Sequence, residues 1–265
     1  MLQRVLTAAI ALPLLIGVTQ LSSPLYFFVM VAVAVLLAAV ELFRLAEGRG
    51  IRPQRVLGLG GAVLMAATFL EEGPDLEQVL AGCVAAAVLT ALWSRRPLPE
   101  ALPSIATTLF GIVFVGLLLG YQVGLRTFGE GGARLVLFLW WVVWSSDAVA
   151  YGVGTAVGRT PLAPRISPRK TVEGTLAGLV MATIAAWIGG RWLLPPLSGL
   201  EAGVIGAFLG IFGLLGDLCE SLLKRGSQVK DSGGWLPGHG GVLDRADSLL
   251  FTAPGLFYYW KYFQI

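Results

Sequence analysis

The sequence predicts an all-α fold, a polytopic integral membrane helix bundle of about nine transmembrane helices with its N-terminus in the cytoplasm. Three observations carry this. First, 56% of the 265 residues are hydrophobic and only 13% are charged, with a mean hydropathy of +0.77. Soluble domains carry about 25% charged residues. That deficit excludes an ordinary soluble enzyme, a disordered chain and a nucleic-acid-binding protein. Second, apolar runs fall near 5–21, 24–43, 56–70, 77–93, 103–123, 134–157, 174–194, 200–223 and 246–263. Most approach the roughly 20 residues that a helix needs to cross about 30 Å of hydrocarbon. Third, if the N-terminus is inside and the runs alternate, 15 of the 19 Lys and Arg residues fall in cytoplasmic segments. That is the bias of a positive-inside topology.

The elements follow in order. Arg4 and the apolar run to Leu21 have the look of a signal peptide. No small-residue cleavage site follows, so an uncleaved first helix is expected. The third and fourth runs are short and rich in Gly and Ala, and an acidic loop with Glu71, Glu72, Asp75 and Glu77 separates them. Eight spans and one re-entrant segment is the other arrangement they allow. Residues 1–133 read as generic membrane helix for packing and a lipid groove, and 134–265 as the region that carries chemistry. Cys83 and Cys219 lie far apart in apolar runs, without the spacing of a zinc site or a disulfide framework.

Ionisable groups within membrane helices are costly and usually functional. Asp147 lies inside the sixth run, and Asp217 and Glu220 near the cytoplasmic end of the eighth. Asp217, Glu220, Ser221 and Lys224 recur at i, i+3, i+4 and i+7, so they share one helical stripe. Gly203, Gly206, Gly210 and Gly213 form a second stripe, expected to pack closely on a neighbouring helix. Between Lys224 and Asp247 the chain gathers four cations, three carboxylates, six glycines and its one histidine, His239. Glycines let backbone N–H groups approach anions, cations neutralise phosphates, and Asp oxygens suit Mg²⁺. Together these describe a metal-phosphate site at the cytoplasmic surface. In Ile166-Ser167-Pro168-Arg169-Lys170-Thr171-Val172-Glu173-Gly174, Ser167 is expected to cap a helix with Pro168 at its first position. Three of the four lysines, Lys170, Lys224 and Lys230, lie in these two segments of an arginine-rich chain.

The stretch from Ser221 to Asp247 resembles the signature of the phosphatidate cytidylyltransferases (CDP-diacylglycerol synthases). Ser221, Lys224, Arg225, Lys230, Asp231, Pro237, His239, Gly240, Gly241, Asp244, Arg245 and Asp247 stand at the signature's spacing. Ala246 departs from it, where a larger apolar residue is usual. The segment Ser167-Pro168-Arg169-Lys170-Thr171-Val172-Glu173-Gly174 is similar to a second box of that family. Asp147 and the Gly216-Asp217 pair fall where the family carries acidic residues.

The resemblance implies transfer of a cytidylyl group from CTP to phosphatidate, with Mg²⁺ and a second cation left open. Asp217 and Asp244, joined by Asp247, are then the expected metal ligands. Lys224, Arg225, Lys230 and Arg245 would hold the triphosphate and the lipid phosphate, with Ser221 donating a hydrogen bond. Asp231 and Asp147 would assist positioning, and His239 would lie over the site. Ser167, Lys170, Thr171 and Glu173, with Asp147, are expected on the substrate side. The same resemblance implies a homodimer in the inner membrane, its site facing the cytoplasm and its phosphatidate drawn from the cytoplasmic leaflet. Another CTP-dependent enzyme of isoprenoid lipids, an anion transporter and a structural scaffold are the competing readings.

Overall fold

The computed structural model describes residues 12–21, 23–194, 197–235 and 240–263. His239, Pro237, Arg4 and the start of the first apolar run lie outside them. Among the described residues the fold is helical apart from one small hairpin. Residues 12–20 form α1, followed by α2 (Pro24–Glu47), α3 (Arg55–Ala67), α4 (Leu76–Leu92) and α5 (Ala101–Gly111). A π-helical turn (Ile112–Leu117) joins α5 to α6 (Leu118–Arg126). Then come α7 (Gly132–Val157), the strands β1 (Pro161–Ala163) and β2 (Ser167–Thr171), α8 (Val172–Leu193), α9 (Gly199–Gly226) and α10 (Leu243–Phe263).

Among the described residues five helical segments are long and apolar enough to cross a membrane: Pro24–Glu47, Leu98–Arg126, Gly129–Val157, Val172–Leu193 and Gly199–Gly226. The chain is a multi-pass membrane protein. The helices α3 and α4 are apolar but have only 13 and 17 residues. At 1.5 Å per residue they reach about 20 and 26 Å, less than the hydrocarbon thickness. Apolar side chains such as Val33, Leu64, Val88, Val180, Ile184 and Ile211 stand exposed along the helices. Water disfavours so much exposed apolar surface, whereas lipid accepts it.

The contacts divide the chain into two compact units. One comprises the described residues up to Thr127 with Gly226–Ala246, and the other Phe128–Arg225 with the residues from Asp247 onward. In the first unit, Phe43 of α2 is fully buried, and Gly58 of α3 and Gly111 of α5 leave room for its ring. A small core of Met65, Val79, Cys83 and Ile112 joins α3, α4 and the π turn. Arg126 is buried, and its guanidinium donates to the carbonyls of Thr19 (2.9 Å) and Leu21. These are orphan acceptors just past the end of α1, and a cation there is favourable.

In the second unit α8 is the centre. Gly174 and Gly178 let it approach α7, where Ser146 Oγ donates to Gly178 O at 3.0 Å. Of the predicted stripe on α9, Gly206 and Gly210 pack on α8, while Gly213 faces Ser248 and Thr252 of α10. A Cβ at Gly206 would lie 2.5 Å from the Ala182 carbonyl, whereas one at Gly203 would meet nothing nearer than 3.7 Å.

Helix α8 does not begin at Ser167. Residues 167–171 are strand, paired antiparallel with β1 (Pro161 opposite Thr171, Ala163 opposite Ser167). Thr171 is the N-cap, in extended conformation, with its Oγ accepting from Gly174 N at 3.2 Å. A proline tolerates an edge strand as readily as a helix start, and here a better cap lies four residues on.

Gly206→Ala should destabilise the detergent-solubilised protein by about 1–3 kcal/mol, the usual cost of overpacking against backbone. Gly203→Ala should be neutral or stabilising by up to about 1 kcal/mol, because alanine favours helix. Thermal unfolding of the two variants side by side reads both signs.

Candidate functional site

Within the second unit four elements bring charge together. Asp147 comes from α7, Lys170 from the end of β2, Asp217 from α9 and Asp247 from the first turns of α10. Lys170 Nζ forms an ion pair with the Asp217 carboxylate. Asp247 is within electrostatic reach of Asp217, Asp147 and Lys170. Ser248 N donates to Asp247 Oδ1 at 2.6 Å, and Ser248 Oγ reaches Asp147 Oδ2 at 3.4 Å.

Gly216 makes this convergence possible. A Cβ there would lie 2.3 Å from the carbonyl oxygen of Asp247, so only glycine lets α10 lie so close to α9 beside Asp217. Asp147 is exposed and Asp217 partly so, which leaves the cluster accessible to a ligand.

Three carboxylates and the Lys170 ammonium thus come together here. Among the described residues no three His, Cys, Asp or Glu side chains stand ready to hold one metal ion. The donor chemistry nonetheless fits Mg²⁺. That ion prefers oxygen ligands, and it is commonly held by one or two carboxylates with water and substrate phosphates completing the shell. Lys170 already supplies positive charge to Asp217, the role a metal ion would share.

The other predicted residues of this unit divide by partner. Glu220 is fully buried and pairs with Lys224 one turn on, so this lysine neutralises its own helix's carboxylate. Ser221 is buried beside them. Arg225 Nε donates to Ile166 O at 3.2 Å and ties the end of α9 to the hairpin turn. Glu173 accepts from the amides of Arg159 (3.1 Å) and Thr160 (3.2 Å) and from Thr160 Oγ (2.9 Å). It ties the segment leading into β1, the strand paired with the one that carries Lys170, to the start of α8. Thr171 fits against Gly158, where a Cβ would meet its Oγ at 2.5 Å.

The first unit holds the remaining predicted residues. Lys230 and Asp231 are exposed on the loop after α9, and Arg245 is exposed in the first turn of α10. Asp244 is held by three donors on one oxygen: Ser232 N (3.1 Å), Ser232 Oγ (3.0 Å) and Gly241 N (2.8 Å) all reach Oδ2. Gly240, at φ +81°, turns the chain into this arrangement.

Sequence reasoning passed over Ser232 and Ser248, which lie within or beside the polar segment. It also passed over Glu41, a carboxylate inside an apolar run and therefore visible as an intramembrane charge.

With this geometry in place, similarity to known proteins is decisive. The chain matches the cytidylyltransferase family over residues 2–263. It belongs to that family. It is 33% identical to a phosphatidate cytidylyltransferase of Synechocystis, over 97% of this chain and 95% of that protein. It is 34% identical to the chloroplastic phosphatidate cytidylyltransferase 5 of Arabidopsis thaliana, over 93% of this chain and 68% of that one. A Bacillus subtilis phosphatidate cytidylyltransferase is 43% identical over 55% of this chain and 54% of its own. In this cytidylyltransferase-family member the charged cluster lies on otherwise apolar helices.

The bracing by Glu173 has a direct readout. Glu173→Gln should speed hydrogen exchange at the Arg159 and Thr160 amides while leaving the protected amides of α8 unchanged.

Proposed function

We propose that this protein transfers a cytidylyl group from CTP to phosphatidate, giving CDP-diacylglycerol and pyrophosphate at the cytoplasmic face of the membrane. The observation that carries the reading is the acidic cluster around Lys170, in a chain related along nearly its whole length to proteins named phosphatidate cytidylyltransferase.

The chemistry asks little of a general base. A phosphate monoester has a second pKa of about 6, so the lipid phosphate is already an oxyanion near neutral pH. Its oxygen attacks the α-phosphorus of CTP, a new P–O bond forms, and the bond to the β-phosphate breaks with release of pyrophosphate. The barrier lies in bringing two polyanions together. Catalysis is then positioning with charge neutralisation, as in other phosphoryl transfers.

A bound Mg²⁺ would neutralise and orient the phosphate oxygens. Asp217 and Asp247, with Asp147 beside them, would hold it in the second unit, and Asp244 supplies a further oriented carboxylate. Lys170 is placed to contact phosphate once a cation competes for Asp217. Arg245 and Lys230 are exposed cations for the triphosphate or the lipid phosphate. Arg225 and Glu173 act through the hairpin they secure. Nine crossings with the N-terminus inside would put the charged segments at the cytoplasmic surface, where CTP is available.

The test uses purified protein in mixed micelles with phosphatidate, CTP and Mg²⁺. Equal amounts of CDP-diacylglycerol and pyrophosphate are expected, lost on adding EDTA. Asp217→Asn and Asp244→Asn should each lower the rate by about 10²–10³, the scale of removing one oriented electrostatic group. A folded wild-type protein that turns over an isoprenoid-lipid phosphate and no phosphatidate would overturn the substrate assignment.

A further inference from the structure

Glu41 lies in α2, six residues before its end, and none of its surface is exposed. It is far in sequence from the motifs that carry the chemistry. Its carboxylate nevertheless receives donors from the segment that precedes and begins α10. Val242 N reaches Oε1 at 3.0 Å, Leu243 N reaches Oε2 at 2.8 Å and Ser232 Oγ reaches Oε2 at 3.0 Å. Val242 and Leu243 sit at the helix start, where amides have no partner in their own helix. Val242 has no side-chain oxygen to cap them, so α2 supplies the cap instead. An anion at a helix N-terminus is also favoured by the helix dipole.

Two glycines are explained by the same contact. A Cβ at Gly233 would lie 2.3 Å from Glu41 Oε1, and one at Gly241 would lie 2.4 Å from Oε2. Gly241 is the second glycine of the His239-Gly240-Gly241 motif. One turn along α2, Arg44 stacks over the Trp235 ring with its guanidinium carbon 5.4 Å from the centroid. One face of α2 therefore grips the segment 232–243 at two points.

We infer that Glu41 is a positioning residue for Asp244, a buried carboxylate that caps α10 from another helix and fixes the loop that aims Asp244. The link is short. Ser232 Oγ lies 3.0 Å from both Glu41 Oε2 and Asp244 Oδ2, and Gly241, packed against Glu41, donates to the same Asp244 oxygen. The importance of Asp244 rests on the proposed cytidylyl transfer, but the anchoring does not.

The experiment compares wild type, Glu41→Gln, Asp244→Asn and the double variant, first confirmed as folded by size exclusion and thermal unfolding. Gln keeps the shape of Glu41 but turns an NH₂ toward a backbone donor. Hydrogen exchange at Gly241, Val242 and Leu243 should rise at least about tenfold in Glu41→Gln, with α7 and α8 unchanged. In the cytidylyl-transfer assay kcat should fall about 10–100-fold, the usual loss when an outer partner of a site group is removed. KM for CTP should stay within about threefold. The double variant should be no slower than Asp244→Asn alone, since both changes disable one unit.

Unchanged exchange at 241–243, or losses that multiply in the double variant, would overturn the inference. If wild type makes no product while exchange still rises in Glu41→Gln, the anchoring holds and the assigned reaction fails. Should Glu41→Gln fail to fold, Ser232→Ala removes the hydroxyl bridge alone and is read in the same assays.

Discussion

Every carboxylate drawn into this helix bundle has to find a donor or a cation, and the placement of the charged side chains follows from that requirement. An isolated ionised group in apolar surroundings is strongly disfavoured. Glu220 meets it with Lys224 on its own helix, and Asp217 with Lys170 from the hairpin. Glu41 has two backbone amides from the start of α10 and shares the Ser232 hydroxyl with Asp244. In the second unit Asp147, Asp217 and Asp247 gather around the Lys170 ammonium, so carboxylates from three helices are brought within electrostatic reach of one another. Glu41 and Glu220 are thus answered within the protein, while Asp147 and Asp217 remain accessible to a ligand.

Glycine decides how close the backbones come. Gly206 sets the approach of α9 to α8, and Gly216 admits the Asp247 carbonyl beside Asp217. Gly233 and Gly241 admit the Glu41 carboxylate. In membrane helices small residues commonly allow such contact, and dispersion and polar groups then hold it. Here the same device also positions charge. A methyl at Gly216 would move the carboxylates of two helices apart, even though it removes no functional group.

Much of this was legible in the sequence because hydropathy and spacing are local properties. Each of the nine apolar runs corresponds to a helix within the described residues, including the two short ones. The stripe of Gly206 and Gly210 packs as its period demands. Two kinds of feature escaped. The start of α8 was misplaced because Ser167-Pro168 satisfies a capping pattern as well as Thr171 does, and only the pairing with Pro161–Ala163 decides between them. Glu41 was passed over because its partners lie about 190–200 residues away, and nothing in the order of the chain brings them near. One carboxylate within Ala39-Val40-Glu41-Leu42-Phe43 was a signal that the apolar run concealed.

The two carboxylate arrangements would suit different tasks in the proposed transfer. Asp244 has one oxygen fixed by two backbone amides and a hydroxyl. Such a group is preorganised, and little of its orientation changes when a ligand arrives. Asp217 has the Lys170 ammonium, near the end of β2, as its partner. In the proposed reaction an incoming cation would relieve Asp217 and free that ammonium for phosphate. A reaction between two polyanions needs both properties: fixed geometry to align the in-line attack, and exchangeable charge so that substrate and counter-charge enter together. On this argument the hairpin from Pro161 to Thr171 is more than a connection between α7 and α8. In the proposed reaction it would be the element that brings the Lys170 ammonium to Asp217 of α9.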